Sequence, residues 1–315
     1  MKRYAQLHFL VLILAATAVL GKLISLSSLG VVAWRTFFAF LGACVWVGLI
    51  RPRLARRKNV AAAPLWPGRG PVLRLIGIGA LVGIHWLCFF GSVKLSNVSV
   101  CLLGLTTMSL FTAFTEPFFD RRRVRGFEVL LGLLIIGGVS LGFEMRYAAG
   151  LLVAMGAALL AAIFPALNRR LVKAGGDPQV MVAWEMLGAL LVTLIATPFL
   201  SSYGELFAWH GLDWMWLLVL AWGCTVFAHS FQIHLLRHFN IYSMILAINF
   251  EPIYGVLAAA FLFNEYKELD RRFYFGMGAT IVANLLHPAI LRWDERRKRG
   301  RLIFEGDAAD SKAAR

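Results

Sequence analysis

The chain has 315 residues, of which 59% are hydrophobic and 16% charged, and its mean hydropathy is +0.71. That composition excludes an ordinary soluble domain and predicts an all-α polytopic membrane protein. The formal net charge of +15 would suggest a nucleic-acid partner if it formed one patch, but the basic residues sit between apolar segments, so no nucleic-acid surface is expected.

In chain order, the N-terminus mimics a secretory signal, with Lys2-Arg3, an apolar run from Leu7 and Ala16-Thr17-Ala18 resembling a cleavage site. It is read as a retained helix, because many spans follow and the internal repeat needs it as the partner of a later helix. Span 1 covers about Gln6 to Leu26 and carries Lys22; span 2 covers about Leu29 to Ile50 and carries Arg35. The basic, proline-containing stretch from Arg51 to Gly70 reads as loop. Span 3, about Pro71 to Val93, carries His85. Span 4, about Asn97 to Phe119, carries Thr106, Thr107 and Glu116-Pro117, and Arg121-Arg122-Arg123-Val124-Arg125 closes it.

Span 5, about Gly126 to Phe143, contains Gly138-Val139-Ser140-Leu141-Gly142. As GxxxG this string lets a neighbouring helix approach closely. As GxSxG it would be a nucleophile elbow, which needs a strand, a sharp turn and a helix. A continuous apolar segment offers none of these, so packing is preferred over an intramembrane hydrolase that would pair Ser140 with His287. Spans 6 to 10 follow at about Ala148 to Leu167, Gln179 to Phe199, Trp214 to Leu236, Ile241 to Phe263 and Phe273 to Leu291. Cys44, Cys88, Cys101 and Cys224 lie inside apolar runs without CxxC spacing or a His/Cys cluster, so no disulfide, metal or other cofactor is expected.

Span 9 holds the most informative residues. Its 23 residues suffice to cross the hydrocarbon layer, and Asn249-Phe250-Glu251-Pro252 lies near the middle. A carboxylate at that depth costs roughly 2.5–3.5 kcal/mol on insertion scales, so it normally faces a bundle interior or a wet cavity. Pro252 has no N–H and its ring crowds the carbonyl of Ile248, which places a polar break beside the acid. Two readings stand: a coupling or substrate site, or a kink whose acid bonds a neighbouring helix.

The halves echo each other. Val32-Ala33-Trp34-Arg35 matches Val182-Ala183-Trp184-Glu185, and Asn97 and Asn240 open spans 4 and 9, with His85 and His229 upstream of them. Glu116 and Glu251 are not symmetry mates; in register, Met108 and Ser109 correspond to Glu251 and Pro252. An odd number of spans per unit inverts the second copy, which is the plan of many secondary transporters. The expected organisation is a five-helix unit at 1–146, a second at 147–292, and a basic, then disordered tail at 293–315.

Asn249-Phe250-Glu251-Pro252-Ile253-Tyr254-Gly255, followed by Glu265 and a glycine-rich span 10, resembles the second repeat of an EamA-type permease of the drug/metabolite transporter superfamily. Gly83-Ile84-His85-Trp86 and Lys94-Leu95-Ser96-Asn97-Val98-Ser99-Val100 resemble a first repeat of the same group. The resemblance covers Gln6 to Leu291. It implies ten helices in two inverted repeats and secondary transport, frequently outward across the plasma (inner) membrane, of small metabolites such as amino acids or of drugs. Met108, Ser109 and Arg122 depart from the proline and glutamate that many members carry in the first repeat.

Candidate substrate or coupling residues are therefore Glu251 with Asn249 and Tyr254 beside it, His85 and His229 as proton carriers, Lys22 and Arg35 as cations for a carboxylate or an acid partner, and Glu185. Each has a structural alternative: an interfacial tyrosine, a bonded core histidine, a snorkelling cation. Glu116 is expected to pair with Arg121 and its neighbours. The expected partners are a small-molecule substrate, the lipid bilayer, protons as the candidate coupling ion and, for the close-packing glycines, a second copy of the chain.

Loop charge sets the expected orientation. The Arg51–Gly70 linker, the cluster after span 4, Arg169, Arg170 and Lys173 and the tail share one side, whereas Ser201 to Asp213 holds no Lys or Arg. Both termini should then be cytoplasmic. Single cysteines at Ala62 or Gly68 are expected to resist an impermeant reagent in intact cells, and cysteines at Ser202 or Gly204 to react. Labelling of the linker from outside would reverse the orientation.

Overall fold

The computed structural model describes residues 2–57, 61–141, 145–264, 267, 271–283, 285–286 and 289–290. These are helices and connecting loops, with no strand among the described residues. Helix α1 spans Lys2–Leu23, α2 Ser28–Arg57, α3 Arg69–Leu95, α4 Val98–Asp120 and α5 Gly126–Leu141. Helix α6 spans Ala148–Lys173, α7 Pro178–Leu200, α8 Asp213–Leu235, α9 Ile241–Phe263 and α10 271–283. Among the described residues eight helices, all but α5 and α10, are long and apolar enough to cross a membrane. The shorter α5 has 16 residues. Glu265, His287 and the tail 293–315 lie outside the described residues.

Short polar side chains set the helix starts. The Ser27 hydroxyl accepts from Gly30 N and begins α2; Asp177 accepts from Gln179 N and Val180 N and begins α7, with Pro178 at the first helical position. These two caps are equivalent in the proposed register, as are Arg35 and Glu185 eight residues further on. Asp177 also takes both arms of Arg51 at 2.8 and 2.7 Å. Burial works against its ionised form, but the Arg51 bonds and the two amides hold the carboxyl below the usual carboxylate range.

Two boundaries differ from the sequence reading. Arg51–Arg57, read as the beginning of a loop, continues α2 beyond a π-helical turn at Trp46–Ile50. The wider turn accommodates Pro52, whose ring would crowd the carbonyl four residues back in a regular α-helix. At the same end α6 runs past Leu167 to Lys173, so Arg170 and Lys173 form its last turn, where cations favour the helix dipole.

Helices α4 and α9 are built alike. In each an Asn cap (Asn97 Oδ1 from Val100 N, Asn240 Oδ1 from Ser243 N) starts eight helical residues, two turn residues follow, and thirteen helical residues complete the span. The breaks are Thr106-Thr107 and Asn249-Phe250, and both segments end in a left-handed residue, Arg121 (φ 52°) and Asn264 (φ 55°). The pair runs antiparallel. Glu116, near the end of α4, caps the first amides of α9, Ala113 packs on Tyr242 and Leu246, and Asn249 Nδ2 donates to Ser109 Oγ between the breaks. The expected break beside Glu251 is present, but it precedes the acid. Glu251 and Pro252 open the second half of α9, where a proline costs no hydrogen bond.

The two ends are tied by reciprocal tryptophans. Trp34 Nε1 donates to Leu206 O at 2.6 Å and meets Trp209, while its counterpart Trp184 donates to Leu65 O at 2.8 Å and meets Trp66. Each half thus anchors a loop of the other.

Around the middle, α3 packs against α6 and α7. Gly79 and Gly188 let the α3 and α7 backbones touch: a Cβ on Gly79 would strike the Glu185 carbonyl, and one on Gly188 the Ile76 carbonyl. Such an obstruction is backbone and cannot rotate away. Gly79→Ala is therefore expected to cost about 1–3 kcal/mol, in the range of overpacked cores. Gly77→Ala, where an added Cβ meets nothing within 4 Å, should leave the thermal midpoint in detergent unchanged. Equal midpoints for the two variants would refute the close approach.

Candidate functional site

The breaks in α4 and α9 border a small cavity of about 80 Å³. Helix α2 supplies Arg35, α3 His85 and Trp86, α4 Met108, α6 Phe164, α8 His229 and α9 Glu251. The volume has room for several waters, at roughly 10–15 Å³ each on this measure, and falls below the roughly 300–1,000 Å³ of an open ligand pocket. The polar residues therefore converge on a contracted site.

Arg35 is almost fully buried, at 2% exposure, so it does not snorkel. Its Nε donates to Thr225 Oγ1 at 2.6 Å and its Nη2 to Cys224 O at 3.3 Å, while Nη1 has no partner. The guanidinium lies 3.9 Å from the Trp86 ring centroid, an arrangement worth about 2 kcal/mol once desolvated. Thr225 and Cys224 belong to a π-helical stretch of α8, Trp222–Phe227. A widened turn disturbs the regular backbone ladder, and a carbonyl there is a ready acceptor for a buried cation.

Glu251 is buried at 7% exposure and, among the described residues, no side chain hydrogen-bonds or ion-pairs with it. It opens the 13-residue second half of α9, at the end where the helix amides are free. His85 Nδ1 bonds Ala157 O at 2.8 Å, and His229 Nε2 bonds Glu185 Oε2 at 2.6 Å. Phe164 sits between the two imidazoles, 5.4 and 6.0 Å from them centroid to centroid.

Of the residues singled out from sequence, Arg35, His85, His229 and Glu251 line the cavity, and Glu185 stands behind His229. Asn249 is buried but turned to Ser109. Tyr254 is half-buried against the apolar core outside the cavity, and Lys22 lies 4.7 Å over the Phe263 ring, also outside it. Ser140 is exposed and donates to Ile136 O within its own helix, while Gly138 packs against Gly276 and Ala279 of α10. The close-packing reading of that string is the one the geometry fits.

The sequence reading did not anticipate Thr225, Phe164, Trp86 or Asn168. Phe164 and Trp86 resemble any other apolar residue in a span, and a π turn has no local sequence signal. Asn168, immediately before the Arg169-Arg170 pair near the end of α6, could have been noticed as an amide on a helix that is otherwise apolar up to that point.

The family model of the EamA-like transporter family matches residues 148–286. That stretch, a little under half of the chain, is similar to the EamA-like transporter family, and among the described residues eight helices are long and apolar enough to cross a membrane. No curated protein matches the sequence. A solved structure described only as "Crystal structure of protein" is similar at TM-score 0.66 and 16% identity, over 93% of this chain and 99% of its own. That likeness is one of fold. The EamA-like segment contributes Phe164, Arg35's acceptors Cys224 and Thr225, His229 and Glu251; Arg35, His85 and Trp86 lie before it.

Glu116 belongs to a separate, structural cluster. It is 2% exposed, accepts from Ile241 N and Tyr242 N at 3.0 and 3.1 Å, and pairs with Arg122 at 2.9 Å, a neighbour of the expected Arg121. Arg122 and Arg125 also reach Glu128, and Tyr242 Oη donates to the Glu128 carbonyl. Removing Glu116 would strand the Ile241 and Tyr242 amides and take one of two carboxylates from Arg122. Glu116→Ala is expected to cost about 3–5 kcal/mol, as breaking a buried pair does, seen as a lowered thermal midpoint in detergent. A wild-type midpoint would reduce this cluster to surface decoration.

Proposed function

We propose that the chain is a secondary active transporter of ten helices, arranged as two five-helix units of inverted topology at 1–146 and 147–292. It moves a small metabolite, such as an amino acid or a drug-like compound, outward across the plasma (inner) membrane, with both termini cytoplasmic. The observation that carries this reading is the cavity where both halves meet: a buried guanidinium with one unused Nη1 donor on the first half, and an unpaired buried carboxylate on the second. Neither group is explained by folding alone, since burying an unpaired charge is costly. The identical 8–2–13 construction of α4 and α9, their antiparallel contact and the reciprocal tryptophans support the repeat.

In the mechanism, Arg35 Nη1 receives an acceptor of the substrate. Glu251 alternates between holding a proton and holding a cationic group or the free charge at the helix terminus. The contracted volume corresponds to a state between the two openings, and rocking of the units about the breaks would expose the cavity to one face at a time.

The test is flux in proteoliposomes with and without a pH gradient, at verified protein levels. Glu251→Gln keeps size and hydrogen bonding, so it should fold and exchange substrate yet lose concentrative transport; Glu251→Asp should retain part of it with a shifted pH optimum. Arg35→Ala should lower flux about tenfold or more, the equivalent of a charge-assisted hydrogen bond at about 1.5–3 kcal/mol, and Lys22→Ala much less. Wild-type accumulation by Glu251→Gln would overturn the coupling role, and wild-type flux by Arg35→Ala the anchor.

A further inference from the structure

Behind the cavity wall lies a buried acid that the mechanism above does not use. Glu185 has no exposed surface. Its Oε2 is 2.6 Å from His229 Nε2 and accepts from Asn168 Nδ2 at 3.3 Å. Among the described residues its Oε1 and the Asn168 Oδ1 have no hydrogen-bond partner. The site is rigid, because the Glu185 carbonyl rests where Gly79 of α3 has no side chain. It also has an outlet, since His229 lines the same cavity as Glu251.

The charge balance of this cluster is the argument. An ionised Glu185 beside a neutral imidazole would leave a full negative charge in the least exposed part of the bundle, with two acceptor oxygens facing no donor. One added proton removes the first difficulty. It neutralises the pair, as carboxylate with imidazolium or as carboxylic acid with imidazole, and the acid form adds an O–H donor that the carboxylate lacks. The charged and titratable neighbours are few. Arg35 on α2, His85 on α3, Cys224 on α8 and Glu251 on α9 share the cavity with His229, and on α6 Arg169, committed to Asp120, follows Asn168. Arg35 is thus a cation beside the cavity.

Resting on the transporter reading, we propose that Glu185 and His229 form a second proton-carrying site, so that two protons, one here and one on Glu251, are exchanged per transport cycle. The transfer balances without another reactant. A proton from cavity water binds His229 Nδ1, the Nε2 proton passes to Glu185 Oε2, and the product is a neutral imidazole hydrogen-bonded to a neutral carboxylic acid; release reverses the steps. Asn168 is a positioning residue, holding the carboxylate toward the imidazole.

The experiment needs no substrate, so its outcome is separate from the flux tests. Infrared difference spectra of the reconstituted full chain are recorded on stepping the pH through neutrality, in sodium and in choline buffer. A carboxylic-acid carbonyl band is expected that is lost in Glu185→Gln and persists in Glu251→Gln. In His229→Gln, which leaves the acid in place, the band should persist with its midpoint moved by about one pH unit or more. This variant, and the shift of the wild-type band on ¹³C-glutamate labelling, keep the test decisive if Glu185→Gln does not fold. A spectrum without any band beyond that of Glu251, an unmoved midpoint in His229→Gln, or replacement of the band by sodium would each overturn the proposal. If the band behaves as expected while Glu251→Gln accumulates substrate like wild type, the second site stands and the coupling role of Glu251 falls.

Discussion

Within a bilayer every backbone N–H and C=O must find a partner inside the protein, at several kcal/mol for each one left unmade. The interrupted helices α4 and α9 concentrate this constraint in one place. At Thr106 and Thr107 the amides fall back to shorter bonds with Leu103 O and Gly104 O, and the two hydroxyls reinforce the same carbonyls at 2.7 Å. At Asn249 and Phe250 the amides return to Ile245 O and Ala247 O, and the Asn249 side chain crosses to Ser109. Each break can exist because the other stands beside it, and their meeting places a helix N-terminus, with Glu251 on it, at the cavity wall.

The scaffold is paired, but its charges are not. Arg35 and Glu185 occupy equivalent positions after equivalent caps, yet one is a cation bonded to a π turn and the other an anion bonded to a histidine. His85 and His229 correspond likewise: one bonds a backbone carbonyl, the other a carboxylate. Glu251 corresponds to Met108, and both reach the cavity.

Much of this was legible in the sequence, for reasons tied to particular residues. Asn97 and Asn240 mark helix starts because a short side-chain oxygen satisfies an orphan amide in a local geometry, and the matching Trp34 and Trp184 stand at one register. Lys/Arg placement and apolar length located eight spans, of which α2 and α6 run on past their expected ends at Ile50 and Leu167 to Arg57 and Lys173. Long-range geometry was not legible. Pro52 reads as a loop signal until a π turn makes room for it, and Lys22 and Arg35 look alike until one lies over Phe263 and the other over Trp86. Helical spacing put Tyr254 on the face of Glu251, but the half of α9 that starts at the acid turns the tyrosine into the apolar core. The Glu185–His229 bond joins residues 44 apart in sequence, and only the packing of α7 on α8 brings them together.

The two ends of the bundle are closed by different chemistry. At the basic end Glu116, Glu128, Arg122, Arg125, Arg169 and Asp120 form a network with two almost fully exposure-free carboxylates, and Arg51 grips Asp177. At the other end the contacts among the described residues are of another kind. Asp213 accepts from the Ser25 hydroxyl and amide, Lys94 donates to Ile24 O, and Trp34 holds Leu206 O. Parting a buried ion pair costs about 3–5 kcal/mol, whereas a hydrogen bond exchanged for water costs about 0.5–1.5 kcal/mol. Opening the basic end requires the Glu116 contacts to α9 to yield, and that movement would pull on the same half-helix junction that carries Glu251. Glu116, from α4, and Glu251 thus mark two points of one interrupted helix, the first capping its start and the second opening its other half.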